Sequence, residues 1–435
     1  MTSETEYLST LDFLYTRLQS FHNQGAVAYK PGLDRTLRLA EAFGSPQNRL
    51  KVVHIGGTNG KGSTAHSVAS VLQSAGLNVG LYTSPHLVDF RERIRVNGVM
   101  IPKQDVVDFV KSYRESEASK LEPSFFELTT VMALDYFNRK NVDVAVIEVG
   151  LGGRLDSTNI VHPMVTAVTN IAFDHTALLG NTLEKIATEK AGIFKKGIKA
   201  IVGRSNPETD SVFRHIAKQN SCDITIAEKN PLFTTFDRSD ECITYRNTPW
   251  GCVSSELTGE CQPENMAVIL NILKELERLG FVNLDSEVIT AGLMSIKSAT
   301  GLRGRWMTVS ENPKIIVDTA HNPDGWRLLS QQLAAHLPHS LGIVIGFVND
   351  KDIRGVIDLL PRQAKYYIVR PSVERAADPA QVQHIALERG LDARIYNSVN
   401  DGVEAAVREL GDESDSLIFI GGSTFVVADY LSERQ

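Results

Sequence analysis

The sequence predicts an α/β protein: a central domain organised around a glycine-rich strand-to-helix turn, with a small β insertion, then a separate Rossmann-like domain. Three observations carry that prediction. Apolar runs rich in β-branched residues alternate with helical patterns over most of the chain, the signature of parallel sheets. The alternation breaks between Asn206 and Gly259 and resumes after GLRGRW (Gly301–Trp306). The chain's 435 residues also exceed what one hydrophobic core usually organises.

In the first two-thirds the expected strands are Val52–Ile55, Val79–Thr83, Val142–Val149, Val165–Thr169 and Ala200–Val202. The expected helices are Leu8–Gln19, Gln104–Arg114, Thr129–Arg139 and Thr182–Phe194. Segments such as ITIAEKN, LFTTFDR and CITYRNTPWGC make Asn206–Gly259 read as an antiparallel β insertion, and Pro263 opens a helix running to Leu279. The second alternation supplies strands Lys314–Asp318, Leu341–Gly346, Tyr366–Val369 and Leu417–Ile420. Its helices are Pro323–Leu337, Asp352–Leu360, Pro379–Arg389, Asp401–Leu410 and Phe425–Ser432. The linker is read between Ala299 and Arg305, giving domains 1–298 and 299–435.

A hydrophobic content of 42% and a charged content of 22% describe an ordinary globular composition. The formal charge of −7, with no lysine-arginine block, argues against a nucleic-acid partner. No run reaches membrane-spanning length, and the opening MTSETEYLSTLDF lacks a signal-peptide core, so a cytoplasmic protein is expected. Cys222, Cys242, Cys252 and Cys261 crowd one stretch but form no C-x-x-C pair. They are read as unpaired thiols rather than as a zinc site or disulfides.

The most informative segment is GGTNGKGST (Gly56–Thr64), between the apolar run KVVHI and the helical HSVASVLQSAG. A glycine turn in that position cradles phosphates with its backbone N–H groups and the positive end of a helix. Lys61 is placed to reach the β- and γ-phosphates, and the hydroxyl of Ser63 or Thr64 to hold Mg²⁺. Gly62 separates Lys61 from Ser63, so the strict P-loop pattern is not met, and a plain glycine-rich hairpin is the competing reading. The flanking strand and helix favour the nucleotide site.

Three further clusters close predicted strands, where open α/β sheets place ligands. They are Thr83–His86, Glu148 with VGLGGRLDSTN, and Asn170–His175. Singly, Ser84 is a plausible helix cap, Glu148 an arginine partner and His175 a core histidine. Together, a hydroxyl, a carboxylate and an imidazole beside a phosphate loop suit Mg²⁺ better than zinc.

Taken in order, GTNGKGS, TSPHLVDFRERIRVNG (Thr83–Gly98), EVGLGGRLDSTN (Glu148–Asn159), DHTALLGNTLEKIATEKAGIF (Asp174–Phe194), DTAHNPDG (Asp318–Gly325) and GFVNDKD (Gly346–Asp352) resemble folylpolyglutamate synthase and the bifunctional dihydrofolate synthase of the Mur ligase superfamily. The resemblance implies a Mur-ligase-like central domain that uses ATP and two Mg²⁺ ions. It implies that Gly57, Thr58, Asn59, Gly60, Lys61, Gly62 and Ser63 hold the triphosphate, with Asn265, Arg305 and Asp318 contacting the nucleotide. Ser84, Glu148 and His175 match metal ligands, joining the Ser63 hydroxyl of the phosphate loop, and Lys190 matches a lysine that is carbamylated in the family. Phe126, Glu127, Leu155, Asp156 and Ser157 match the pterin site, while His321 and Ser423 are candidates for glutamate. Lys61, Glu148, His175 and Lys190 are therefore the expected catalytic set.

The activity implied is ATP-dependent addition of L-glutamate to a folate, and of glutamate to dihydropteroate in bifunctional members, through an acyl phosphate. Small molecules are the implied partners, and a monomer is the expectation. KPGLDR (Lys30–Arg35) keeps only the end of the dihydropteroate-binding pattern. Two alternatives stand beside this reading. Another Mur-type amino-acid ligase would bring a UDP-binding N-terminal domain, for which the 55 residues before Gly56 leave no room. A non-catalytic ATP switch would have no use for Glu148, His175 and Lys190 together.

Overall fold

The computed structural model describes residues 3–18, 32–335, 340–411 and 416–434, and the chain divides into two compact units. One comprises Met1–Ala172, Thr176–Glu256 and Pro263–Leu302; the other comprises Phe173–His175, Leu257–Gln262 and Arg303–Gln435.

The first unit is built on eight strands: β1 (Val52–Gly56), β2 (Val79–Tyr82), β3 (Ile94–Val96), β4 (Val99–Met100), β5 (Val144–Glu148), β6 (Val165–Val168), β7 (Lys199–Val202) and β8 (Ile224–Ile226). Their order is β4-β3-β2-β5-β1-β6-β7-β8, with β3 and β4 antiparallel and the rest parallel. Helices cover both faces of such a sheet, so β1, β2, β5 and β6 are buried throughout and read as unbroken apolar runs. Register decides where the site can form. Ile147 pairs with Tyr82, Glu148 with Ile55 and Gly56 with Val168. The turns after β2, β5, β1 and β6 therefore open side by side along one carboxyl edge.

The helix after β1 runs Lys61–Ser74 from Gly60, whose φ of 82° is left-handed. The helix expected from Thr129 starts earlier, at Phe125, because Ser124 and Glu127 form a reciprocal capping box. The N-terminal pattern divides into an α-helix, Glu4–Asp12, and a π-helical turn, Phe13–Arg17; Gln19 lies outside the described residues.

The structure corrects the extent of the β insertion. Pro207–Gln219 is a helix, capped by the Asn206 side chain on the Glu208 N–H, and it buries Phe213 and Ala217 at i, i+4 spacing. β8 joins the main sheet in parallel. The antiparallel sheet contains β9 (Thr235–Arg238), β10 (Ile243–Thr248) and β11 (Gly251–Ser255). All four cysteines are free thiols.

After the helix Gln262–Arg278, two helices absent from the sequence expectation follow, Ser286–Leu293 and Ile296–Thr300. Thr300 is buried, and its hydroxyl lies 2.7 Å from His66 Nδ1 on the helix Lys61–Ser74. Gly98, at the β3–β4 turn, has φ 76°, and a Cβ there would land 2.0 Å from the Ala299 carbonyl oxygen. Residues read as the start of a linker are thus packed into the first unit.

The second unit carries β12 (Met307–Glu311), β13 (Lys314–Val317), β14 (Leu341–Ile345), β15 (Lys365–Ile368), β16 (Asp392–Ile395) and β17 (Leu417–Gly421). Their order is β12-β13-β17-β14-β15-β16; β12 runs antiparallel and the rest parallel. Its helices are Pro323–Ala334, Ile353–Ile357, Pro379–Glu388, Val399–Leu410 and Thr424–Ser432, around a core that includes Trp326, Tyr366 and Phe419. The predicted extension to Leu337 falls on residues outside those described. The edge strands β12 and β16 went unpredicted because they are short, polar and largely unburied. Among the described residues no helix is long and apolar enough to cross a membrane.

Candidate functional site

The loop after β1 is shaped by glycines and held by β6. Gly57 has φ 137°, and a Cβ there would sit 1.9 Å from Thr169 Oγ1; a Cβ on Gly60 would meet Asn265 Oδ1 at 2.1 Å. Larger residues have no place at either position. The Thr58 N–H donates to the Asn170 carbonyl at 3.0 Å and the Asn59 N–H to Asn170 Oδ1 at 2.8 Å. Thr169 Oγ1 donates to the Asn59 carbonyl at 2.5 Å. Lys61 Nζ folds back onto the Thr58 carbonyl at 3.0 Å. The sequence reading named Asn265, and Asn170 as the start of the third cluster, but missed Thr169; that both residues hold the glycine loop follows only from the β1–β6 pairing.

Two predicted groups flank this loop. Glu148 is buried at the end of β5, and its Oε2 accepts the Ser84 N–H at 3.0 Å. Lys190 is only 5% exposed, near the end of the helix Leu183–Ala191, and its Nζ donates to the Gly57 carbonyl at 2.8 Å. It is therefore no solvated surface lysine. Glycines make this approach possible, since a Cβ on Gly153 would lie 2.7 Å from the Glu189 carbonyl oxygen and 2.8 Å from that of Lys190.

The donor set suits a hard cation. Glu148 supplies carboxylate oxygen and Ser84 a hydroxyl beside it, while the Ser63 hydroxyl makes no hydrogen bond among the described residues. No group of three His, Cys, Asp or Glu side chains converges among the described residues. Thr64 is sealed in the core, its Oγ1 without a hydrogen-bond partner among the described residues, so of the two hydroxyls considered from sequence it is the worse placed.

The loop after β5 is held by buried polar side chains. Asp156 Oδ2 accepts the Leu151 N–H at 2.8 Å, and Oδ1 accepts the Thr158 N–H at 2.9 Å. Burial pushes the Asp156 carboxyl up, and these hydrogen bonds pull the other way. Asn159 Nδ2 donates to the Arg154 and Gly192 carbonyls, each at 3.0 Å. Phe126 lies on this loop, since a Cβ on Gly150 would fall 2.3 Å from its ring. Ser157 is buried at the start of the short 3₁₀ turn Ser157–Ile160, and Leu155 is half-buried.

Glu127, expected at the pterin site, is engaged by neighbouring groups of the fold. Its carboxylate accepts the Ser124 N–H at 2.7 Å, Arg35 Nη1 at 3.1 Å and the Thr36 hydroxyl at 3.4 Å. It caps the helix Phe125–Arg139 and anchors the helix Asp34–Ala42, which carries Arg35 and Thr36. Arg35 of KPGLDR is in this way placed, while Lys30 and Pro31 lie outside the described residues. The motif TSPHLVDFRERIRVNG contributes a polar relay that the sequence reading did not single out. Buried Arg93 donates through Nε to His86 Nδ1 at 2.7 Å and sits over the Phe125 ring, and Tyr15 Oη lies 3.3 Å from His86 Nε2.

The remaining candidates lie in the second unit. His175, expected beside the phosphate loop, groups with this unit through its neighbour Asp174. Asp174 is in contact with Lys351 Nζ, with His321 Nε2 at 3.2 Å and with Asn322 Nδ2 at 3.1 Å. Burial alone would raise its pKa; the His321 hydrogen bond and the charges of His175 and Lys351 outweigh it and hold the carboxyl well below the usual range. His321 is thus tied to Asp174, and Lys351 and Asn322 join a cluster that the sequence reading saw only in part. Asp318 accepts the Trp306 and Ala320 N–H groups at 2.7 and 2.8 Å. Arg305 Nη1 donates to the Gly304 carbonyl at 3.0 Å and to Thr319 Oγ1. Ser423 caps the helix Thr424–Ser432 through the Phe425 N–H.

Comparison with known proteins accords with this architecture. The Mur ligase middle domain matches residues 55–273, and the Mur ligase glutamate ligase domain matches residues 304–424. A curated relative, the dihydrofolate synthase/folylpolyglutamate synthase of Bacillus subtilis, is 34% identical over 355 residues, covering 78% of this chain and 80% of its own. The structure of Mycobacterium tuberculosis folylpolyglutamate synthase complexed with ADP and AMPPCP superposes with a TM-score of 0.86 at 27% identity, covering 99% of this chain and 98% of its own. A bifunctional folylpolyglutamate synthase/dihydrofolate synthase with Mn, AMPPNP and L-glutamate bound gives a TM-score of 0.83 at 29% identity, with 98% of both chains covered.

Proposed function

The chain belongs to the folylpolyglutamate synthase/dihydrofolate synthase family of Mur ligases, and from that premise we infer how its residues carry the family's reaction. It is an ATP-dependent ligase that joins L-glutamate to a folate, using ATP and a divalent metal. The acceptor carboxylate takes the γ-phosphoryl group to give an acyl phosphate and ADP. The glutamate amine then attacks that carbonyl, an amide forms and phosphate leaves.

The observation that carries this reading is the glycine loop at the carboxyl edge, with Ser84, Glu148 and Lys190 on its flanks. Phosphoryl transfer asks a protein for alignment and charge neutralisation more than for covalent chemistry. The backbone of Gly57–Ser63 holds the triphosphate, and Lys61 leaves the Thr58 carbonyl to meet its terminal oxygens. Ser63, Ser84, Glu148, His175 and Lys190 are the residues that would hold magnesium, two ions in our reading. Bound there, the metal neutralises the charge developing on the phosphates.

Lys190 takes part as a carbamate. A carbamate keeps one N–H, so its bond to the Gly57 carbonyl survives the modification while two anionic oxygens are gained. Asp156, Phe126, Leu155 and Ser157 line the acceptor side, and we assign Glu127 to support that wall. Asn265, Arg305 and Asp318 serve the nucleotide, and His321 and Ser423 the glutamate. Residues 1–298 act as the ATP-binding ligase domain and 299–435 as the second; the protein works as a cytoplasmic monomer on small molecules.

Mass spectrometry tests the reading. Purified protein with ATP, Mg²⁺, L-glutamate and either tetrahydrofolate or dihydropteroate should release ADP and yield a product heavier by one glutamyl residue. ADP release with a UDP-muramoyl acceptor and none with either pterin would overturn it. Separately expressed halves, cut near Ala299, should each fold without ligase activity; full activity from 1–298 alone would refute the division of labour.

A further inference from the structure

Behind Asp156, in the loop after β5, lies a buried polar pair, Thr158 and His54, to which the reaction as described gives no role. Asp156 is 4% exposed, and Thr158 and His54 are fully buried. The Thr158 hydroxyl donates to Asp156 Oδ1, and its oxygen lies 2.8 Å from His54 Nε2. His54 stands in the middle of β1, two residues before the glycine loop.

The donor and acceptor inventory fixes the direction of these hydrogen bonds. The Leu151 and Thr158 N–H groups both point at Asp156, an arrangement that favours the ionised carboxylate. The single Thr158 hydroxyl proton then goes to the carboxylate, so His54 must donate the proton of the remaining bond, through Nε2–H. Its Nδ1 is left as a sealed lone pair, with no partner among the described residues. Burial, then the nearby Lys195 ammonium, push the His54 pKa down to about 3, so the ring stays neutral in the folded protein. Lys195 is itself fixed on the Asn159 carbonyl at 2.8 Å.

We propose that His54 and Thr158 are positioning residues for acceptor recognition: their one-way hydrogen-bond chain fixes where the Asp156 carboxylate points and thereby sets affinity for the pterin acceptor. The proposal rests on the placement of Asp156 in the acceptor site. The Thr158 hydroxyl and amide fill Oδ1, and the Leu151 amide, with that of Gly150 close by, engages Oδ2, so the acceptor capacity left to the carboxylate is on Oδ2 alone and in one direction, which suits a single N–H of a pterin edge. No other residue on β1 has a side chain able to supply that hold, since Val52, Val53 and Ile55 are apolar.

Steady-state kinetics on the full-length enzyme tests this, with dihydropteroate and tetrahydrofolate as acceptors. Thr158→Val and His54→Leu should each raise acceptor KM about tenfold while leaving KM for ATP within about twofold, the mark of lost ground-state binding. Thr158→Ser and His54→Gln, which keep the hydroxyl and a donor near the Nε2 position, should restore most of that affinity. If Thr158→Val does not fold, Thr158→Cys, with a weak donor of similar size, takes its place. Asp156→Asn separates the two levels of the argument. Should Asp156→Asn raise acceptor KM while the Thr158 and His54 variants do not, the positioning role is overturned and the acceptor site stands. An unchanged acceptor KM in Asp156→Asn removes the acceptor-site placement and the proposal with it. KM values for ATP and acceptor rising together, with no recovery in the conservative variants, would reduce both residues to a merely structural role.

Discussion

The loops after β1 and β5 leave neighbouring parallel strands and are built in opposite ways. The β1 loop is shaped by the absence of side chains: Gly57 and Gly60 occupy positions where a Cβ would collide with Thr169 and Asn265. The β5 loop is shaped by the presence of side chains: Asp156, Thr158 and Asn159 are all buried, Asp156 and Asn159 hydrogen-bonded to backbone and the Thr158 hydroxyl to the Asp156 and His54 side chains. The contrast accords with what each loop is proposed to meet. A triphosphate is recognised by backbone N–H groups, which glycine leaves uncovered; a planar heterocycle is recognised by a directed carboxylate, which needs support from behind. Substitutions should therefore fail differently in the two loops, through added bulk in one and through lost polarity in the other.

The largest effect is expected in the β1 loop. Lys61→Ala should lose about 2.7–4 kcal/mol of transition-state stabilisation, a fall of roughly 10²–10³ in kcat, while the melting temperature barely moves. Gly57→Ala should match it for a steric reason. Near-normal turnover in either variant would break the comparison at its stronger end. Next comes Lys190→Ala, which should remove most activity and regain part of it with added formate or acetate, read as ADP release. Intact-protein mass spectrometry of the active wild type should show the added mass of one CO₂.

Glu127→Gln sharpens the comparison from the other side. Its carboxylate serves a helix cap and Arg35, so the variant should lose about 1–3 kcal/mol of stability and leave acceptor KM nearly unchanged. A large rise in acceptor KM at constant stability would return Glu127 to the binding site. The smallest effect belongs to His54. The unfolded chain protonates this imidazole below about pH 6.5, whereas the folded protein resists until about pH 3. The unfolded state thus binds more protons across that window, and stability must fall as pH falls through it, by at most ~1.4 kcal/mol per pH unit from this residue. Denaturant titrations of wild type and His54→Gln between pH 7 and pH 5 should converge as the pH drops; parallel curves would refute the buried neutral ring.

Much of this site was legible in the sequence, for physical reasons that also explain the omissions. Gly57, Lys61 and Glu148 announce themselves because a strand, a turn and a helix follow in close succession, and local spacing encodes their placement. Thr169, Asn170 and His54 depend on which strand lies beside β1, and pairing between distant segments leaves no local trace. His54 did carry a signal, as a lone imidazole within an apolar β-branched strand. The helix Pro207–Gln219 was hidden by polar neighbours, although Pro207 and the Phe213–Ala217 pair mark it in retrospect. His175 is marked in the sequence by its place past a strand end, whereas the His321 and Lys351 contacts of its neighbour Asp174 leave no local trace.

The anchoring of Ala299 and Thr300 bears on how this protein would respond to hydrogen exchange. A glycine-flanked polar segment between two compact units would ordinarily exchange its amides quickly, as a tether does. Here the amides of Ala299 and Gly301 donate to the Ser295 and Lys297 carbonyls, and Thr300 is buried against His66 on the helix that opens at Lys61. Loosening of that helix would remove the support of Thr300 and speed exchange of these amides. Deuterium uptake at residues 299–301 therefore reports on opening of the phosphate-loop helix, and nucleotide binding should slow it although the ligand never touches those residues.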